Sequence, residues 1–408
     1  MSSGARLYFI ACCFPPVGRG NAVTNSCVAN ALAEQFDVRV ISIEDPQGIL
    51  LSYQRDESLV EGLHPDLEVE RVVASRWFGL NEVLYGIGLL PCYYLNWAWK
   101  VWRRRRELFA EKGVIFAVYP VFSDIALGYF LHCAYGYALI VDFRDDFSGV
   151  MARGWRRILG GYFRWMERKV IGAAAHITVT TEHLKEVLMA RYGVEAGKIS
   201  VVLNVVPSVD VPPRSDERQR DRFKVIYAGA ISGHQRPEVL LKAYKLLQRQ
   251  SPDIARRLRV QLYGPDSRYF RRHVKCHLGE GAEYGGFQPH DDVIRQVAES
   301  DIGFLCLGDR SLAYATPTKF FEYIDLEKPI LGVLPAGITR NFIEEMDLGL
   351  VADIGDEETL AHHLRRLSED PGLLARYADN IRKVKGRFSA RAQLDKWIGV
   401  VDRFIRLA

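Results

Sequence analysis

Tyr314-Ala-Thr-Pro-Thr-Lys-Phe-Phe-Glu-Tyr-Ile-Asp-Leu-Glu-Lys-Pro-Ile-Leu331 reads as a helix start built to hold an anion, followed by a strand. Thr316 is a capping residue type, and Pro317 suits the first helical position, where its missing N–H costs nothing. The amides of Thr318 and Lys319 then stand ahead of the first intrahelical bond, with the positive end of the helix dipole behind them. That arrangement seats a phosphate. Lys319 adds a mobile charge. Glu322, three residues on, shares its face. A carboxylate beside a phosphate seat can accept two hydrogen bonds from the vicinal hydroxyls of a ribose. Lys328–Val333 reads as a buried strand, so the helix belongs to an α/β layer. Over this stretch alone, an ordinary capped helix is the competing reading.

Working outward, 408 residues are too many for one ordinary core, and two domains are expected. Hydrophobic content of 48% and charged content of 25% are those of a globular chain. The net charge of +4 is too small to imply nucleic acid. The seven cysteines are scattered and odd in number, with no Cys-x-x-Cys. They point to reduced thiols, a cytoplasmic setting, no disulfide frame and no zinc site. Leu7–Cys13 is too short for a signal core and runs into a glycine loop, so it reads as a first strand.

Charge is unevenly placed. Residues 1–70 hold 4 Lys/Arg against 10 Asp/Glu, whereas residues 71–170 hold 15 against 8. Basic residues cluster at Arg103–Arg106 and again at Arg153, Arg156, Arg157, Arg164, Arg168 and Lys169. Before the first cluster lies the uncharged stretch Val83–Trp99, with Tyr93, Tyr94, Trp97 and Trp99. It is short for a bilayer span, and Pro91 and Asn96 interrupt it. Aromatic residues followed by arginines suit a headgroup interface. Membrane-surface contact through 83–106 and 153–169 is therefore expected, against the alternative of a buried helix with a solvated basic end.

Leu7–Cys12, the loop Phe14–Asn21, a small-residue helix over Ala22–Gln35 and the strand Val38–Ile43 form a βαβ unit of the doubly wound kind. Further strands are expected at Val114–Tyr119, Ala138–Phe143, His176–Thr180 and Lys198–Leu203. The proline-rich stretch within 207–222 reads as a linker. A second α/β pattern follows, with strands at 224–228, 259–263, 282–284, 302–306 and 329–333. Helices are expected near 237–250, 291–299, 317–325 and 339–346, with a helical tail over 388–408.

These pieces occur in an order that resembles family 4 glycosyltransferases. The likeness runs through Phe14-Pro-Pro-Val-Gly-Arg-Gly20, Val141-Asp-Phe-Arg-Asp145, Thr178–Leu184 with Val201–Asn204, Val225–Gly229, Tyr284–His290 and Thr316–Glu322 with Lys328-Pro329. It is similar to the sub-branch acting on lipid-linked or surface-polysaccharide precursors. The resemblance implies an α/β GT-B fold of two facing Rossmann-like domains. It implies an acceptor domain over 1–206, a linker over 207–222 and a nucleotide-sugar domain over 223–387, with the helix 388–408 crossing back to the first. It implies a retaining, metal-independent enzyme without a cofactor, moving a sugar from a UDP- or GDP-sugar to a glycan or polyprenyl-diphosphate-linked acceptor. The setting implied is cytoplasmic, at the inner face of the cell membrane.

For the site, the resemblance implies that Gly18, Gly20, Gly229, Arg236, Phe287, Thr318, Lys319 and Glu322 bind the donor, with Glu322 on the ribose. Lys319 and Arg236 are expected on the diphosphate, and the loop at 18–20 closes toward it. Arg144 and Asp145 are the catalytic candidates, facing the acceptor or the transferred sugar. Tyr314 stands where the family usually has an acid, so loop amides over 312–318 are expected to replace that contact.

Other readings stay open on the residues. Gly18-Arg-Gly20 lacks the third glycine of a dinucleotide turn, because position 23 is Val, although Glu44 mimics the ribose acid of a dehydrogenase. Asp142, Asp145 and Asp146 around Arg144 suggest either a metal site or a fork-to-carboxylate bond by Arg144, which the residue types favour. His290 is expected to cap a helix. A nucleotide-sugar 2-epimerase and an inactive nucleotide-sugar or glycan binder remain alternatives to the transferase.

Overall fold

The structure is a computed structural model. It describes residues 5–44, 54–73, 83–85, 87, 89–92, 94–152, 154–207 and 222–408. The chain divides into two compact units, one of residues 1–205 with 393–408 and one of 206–392. The linker expected over 207–222 falls almost entirely outside the described residues, as do Tyr93 and Arg153.

The first unit is built on seven parallel strands: β1 (Arg6–Ile10), β2 (Val38–Glu44), β3 (Glu68–Val73), β4 (Gly113–Tyr119), β5 (Ala138–Phe143), β6 (His176–Val179) and β7 (Ile199–Val201). Their order is β3-β2-β1-β4-β5-β6-β7, so the winding reverses between β1 and β4. Every residue of β4 is buried, as expected of a central parallel strand covered on both faces. The edge strand β3 escaped the sequence reading. Its alternating Glu-Val-Glu-Arg pattern carries only one buried residue.

The second unit holds β8 (Phe223–Ala228), β9 (Leu258–Tyr263), β10 (Ala282–Gly286), β11 (Ile302–Cys306), β12 (Ile330–Val333) and β13 (Gly349–Ala352). Their parallel order β10-β9-β8-β11-β12-β13 reverses between β8 and β11. Ligands of doubly wound sheets bind outside the carboxyl ends of the strands, at such reversals. Both glycine turns, after β1 and after β8, lie there.

The tail helix is Ala390–Ile405, and it starts later than expected because Phe388 ends the preceding helix, Pro371–Phe388. Phe388 packs among Phe320, Phe321 and Phe342, with ring centroids 5.3 to 6.2 Å away. From residue 393 the tail belongs to the first unit. Trp397 is buried there, and its Nε1 donates to Thr178 Oγ1 on β6 at 3.4 Å. The Gln393 side chain accepts from the Leu203 amide at 3.1 Å.

A buried carboxyl group fixes the exit of β1. Asp124, in the first turn of the helix Phe122–Tyr135, accepts from the Cys12 amide at 2.8 Å. Burial raises its pKa well above the usual carboxylate value, more than its two hydrogen bonds lower it. A raised carboxyl favours folding fully below the unfolded pKa and loses that advantage as pH rises through the folded one. Asp124→Asn keeps an acceptor for Cys12 without the ionisable proton. Its melting temperature relative to the parent protein is expected to climb as pH rises above about 4. A pH-independent difference would show that Asp124 does not titrate in this range.

Candidate functional site

In the second unit, the helix Thr318–Asp325 starts beside the exit of β8. Pro317 stands at the cap position itself, with extended backbone (φ −62°, ψ 145°) and no side-chain capping bond. Thr316 is buried and is not the cap, contrary to the sequence expectation. The first bond of the turn runs from the Phe320 amide to Pro317 O at 3.0 Å, which leaves the amides of Thr318 and Lys319 ahead of it.

Lys319 runs back over Gly229. A Cβ at position 229 would come within 2.2 Å of Lys319 Cε and 2.4 Å of Nζ, and Gly229 has φ +141°, which side chains avoid. The ammonium lies 4.7 Å from the centroid of the buried Tyr227 ring and donates to its hydroxyl at 3.4 Å. Among the described residues Lys319 makes no ion pair. Desolvation lowers its pKa, more than Cys306 and Glu322 raise it. The site therefore holds a cation short of a partner.

Glu322 lies on the same helix face, with its side chain 12% exposed. His290 Nε2 stands 3.4 Å from Glu322 Oε1. His290 opens the helix His290–Glu299, but Pro289 is at the cap position, so the histidine meets the carboxylate and does not cap. Only its place in the Tyr284–His290 motif hinted at this contact. Phe287 is half-buried in the loop between β10 and that helix.

Arg236 has φ +56° and is exposed. Its stem lies on Gly308, where a Cβ would come within 2.6 Å of Cγ and Cδ, and its Nε donates to Gly233 O at 3.3 Å. With Gln235 and Gly308 it lines a cavity of about 90 Å³. The loop amides expected to stand in for an acid at 314 are partly occupied. Those of Leu312, Ala313 and Ala315 bond within their own turn, to the carbonyls of Asp309, Arg310 and Leu312.

In the first unit, Arg144 leaves the end of β5 and is buried. Its Nε donates to Asp142 Oδ2 at 2.8 Å, while Thr178 Oγ1 donates to Asp142 Oδ1 at 2.6 Å. Removing one partner of such a buried pair costs roughly 3–5 kcal/mol, because the other charge stays behind. The two-pronged bond expected of Arg144 is made instead by Arg191, whose Nη1 and Nη2 reach Asp146 Oδ1 and Oδ2 at 2.5 and 2.9 Å. Arg191 also meets the buried Glu167 at 3.3 Å, and Tyr192 donates to that carboxylate. This clamp pins the segment next to half-buried Asp145 onto the helices Gly160–Ala173 and Glu182–Tyr192. Two of the three aspartates, Asp142 and Asp146, are each taken by an arginine. Among the described residues no group of three His, Cys, Asp or Glu is placed to hold a metal.

Gly18 and Gly20 sit where the loop after β1 enters the helix Gly20–Ala33. Gly18 is held by its amide on Gln54 O at 3.0 Å. Cys12 and Cys13 are buried beneath, and burial pushes the Cys13 thiol up to about 12, so neither offers a thiolate.

The family model described as Glycosyltransferase Family 4 matches residues 27–210, and that described as Glycosyl transferases group 1 matches residues 212–384. This chain belongs to the family 4 glycosyltransferases. A D-inositol 3-phosphate glycosyltransferase of Nocardioides sp. is 26% identical over 255 residues, which is 56% of this chain and 54% of the relative. The chain thus aligns with about half the length of that relative. Anabaena HepE, solved with UDP and glucose, superposes with a TM-score of 0.69 at 15% identity, covering 98% of this chain and 100% of the other. WaaG, a glycosyltransferase involved in lipopolysaccharide biosynthesis, gives 0.64 at 13% identity, covering 97% and 99%. At these identities the likeness is one of fold, and the fold is GT-B. The dehydrogenase reading falls with the family assignment, and the loop 11–19 between β1 and its helix is no tight dinucleotide turn.

The first unit also exposes apolar and basic side chains. Trp97 is not among them, since it is buried with Nε1 on Ser42 O at 3.0 Å. Trp99, Phe130, Ile158 and Trp165 are exposed, Ile158 to 88%. Arg156 stacks on Tyr85 at 4.6 Å, and Trp102 meets Phe130 edge-on at 6.0 Å. Arg157, Arg164, Arg168 and Lys169 are exposed, whereas Arg104 is occupied by Glu70 and Glu107. Among the described residues no helix is long and apolar enough to cross a membrane.

Lys319→Met removes a desolvated charge and keeps most of the stem. A depressed lysine pKa penalises folding fully below the folded pKa, and the penalty fades as pH rises toward about 10.4. The free Lys319→Met protein is expected to melt at or above the parent temperature near pH 7, with the difference shrinking toward pH 10. A variant that melts lower at all pH values would show that the ammonium is compensated.

Proposed function

We propose that the chain moves a sugar, with retention at the anomeric carbon and without a metal ion, from a nucleotide-sugar to a glycan or lipid-linked saccharide. The observation that carries this reading is the unpaired, desolvated Lys319 at a helix start, one turn from Glu322. In the proposed complex Glu322, oriented by His290, takes the ribose hydroxyls. Lys319 and the Thr318 amide take the diphosphate, Arg236 adds charge at its edge, and Phe287 borders the base. Lys319 and the helix amides stabilise the charge that grows on the departing diphosphate, aimed there before reaction. Gly229 supplies the room that lets the cation swing from Tyr227 to the ligand. The UDP bound by HepE favours a UDP-sugar over a GDP-sugar.

The acceptor end of the proposal rests on the apolar and basic surface. Interfacial aromatics with surrounding arginines fit an anionic lipid surface, and surface charge there contributes on the order of 1 kcal/mol per residue. A polyprenyl-diphosphate-linked saccharide would be met at such a surface, on the cytoplasmic face of the membrane. WaaG's involvement in lipopolysaccharide biosynthesis supports a surface-polysaccharide role.

Thermal melting against UDP, GDP, their sugar conjugates and NAD(H), with and without EDTA, tests the donor half. Stabilisation by one nucleoside diphosphate and its sugar, unchanged by EDTA, is expected. It should shrink at least tenfold in affinity for Glu322→Ala with the fold kept. A response that requires a divalent ion, or an unaltered response in Glu322→Ala, refutes the assignment.

Replacing Arg157, Arg164 and Arg168 with Gln is expected to release the protein from vesicles of anionic lipid and to flatten the salt dependence of binding. Parent protein that fails to bind such vesicles, or a variant that binds equally well, removes the membrane from the proposal.

A further inference from the structure

We infer that the terminal nitrogens of Arg144 seat an anionic group, phosphate or carboxylate, carried by the acceptor. This rests on the transferase reading above and adds a chemical class to the acceptor. Arg144 Nη1 and Nη2 are both buried and, among the described residues, have no hydrogen-bond partner. The rest of the residue is fixed. Nε is on Asp142, the amide donates to Tyr119 O at 3.3 Å, and the carbonyl accepts from Thr180 Oγ1 at 3.2 Å. A planar fork with one edge anchored and its far end unsatisfied matches a pair of anionic oxygens in geometry as well as charge. Buried polar groups left in this state in native proteins call for a functional or solvent partner.

Its surroundings favour an anion. Arg144 stands at the end of β5, one strand beyond the reversal between β1 and β4, where a ligand is expected. Arg19 and Arg144 both pull the Cys13 thiol pKa down, against the larger effect of burial. The nearby acids are largely spent. Asp142 is held by Arg144 and Thr178, Asp146 by Arg191, and Asp124 is driven toward its neutral form by burial. Among the described residues Asn25 Oδ1 is also buried without a partner, while its Nδ2 donates to Cys13 O at 2.6 Å.

The test uses the full chain carrying Lys319→Met, which removes the cation of the second unit. Melting is followed against inorganic phosphate, pyrophosphate and glucuronate at low ionic strength. Stabilisation by the phosphates identifies a phosphate-bearing acceptor, and stabilisation by glucuronate a uronic acid. In the same background Arg144→Lys, which keeps the ion pair but loses the fork, is expected to weaken that response at least tenfold. The neutral pair Arg144→Met with Asp142→Asn should abolish it. No response to any of the three anions overturns the inference. So does a response that survives both substitutions while only the free protein's melting point moves, since that is a purely structural role. The parent protein's response to UDP and GDP is read separately, so a failed seat and a failed transferase reading are told apart.

Discussion

The approach of Lys319 to Gly229 is the constraint on which the second unit's site depends. It needs β8 and β11 side by side, so that the helix following β11 begins over the turn following β8. It needs no side chain at 229, since even a methyl group would overlap the lysine stem. It needs the Tyr227 ring as a floor, because an ammonium without an ion-pair partner is tolerated over an aromatic face at about 0.5–2 kcal/mol. The far side of the helix is held by the Phe320, Phe321, Phe342 and Phe388 rings, each pair contributing about 0.5–1.5 kcal/mol beyond area burial. The polar face is thus held in place by apolar contacts, and its unpaired charge is not needed for the fold.

The first unit solves a different problem at its own sheet edge. Arg144 is deeper than Lys319 and could not remain there without Asp142 beside it. Arg191, Asp146 and Tyr192 form a partly exposed network around the buried Glu167 immediately downstream. That network fixes the backbone after β5, and so fixes where the guanidinium points. Removing charge from it would disturb direction before it disturbed affinity.

The sequence made the sheets legible where strands were continuous and apolar. β4, β5 and β11 were found to within a residue, since both of their faces are covered. It failed at the edge strand β3 and at β13, where a short or alternating run looks like loop. Lys319 and Glu322 were legible because their spacing fixes a shared helix face. His290 was not, since its meeting with Glu322 joins residues 32 apart through sheet topology. The cap was misassigned because Thr-Pro allows the proline either at the cap or one step inside it. The bidentate bond went to Arg191 because residues 45 apart are brought together by β5, β6 and the helix after β6, an arrangement no local spacing encodes.

The two arginine and lysine sites differ in what they can recognise. Lys319 is a compact point charge with, among the described residues, no acid paired to it, so it answers to net charge more than to shape. Arg144 is already neutralised by Asp142, so a ligand gains little long-range attraction from it. What it offers is two donors at a fixed angle inside a desolvated shell, where a hydrogen bond made is worth far more than in water. A ligand that fits that angle gains, and one of equal charge and wrong shape does not. The cation in the second unit thus suits a ligand selected by charge, while the anchored fork in the first suits one selected by shape.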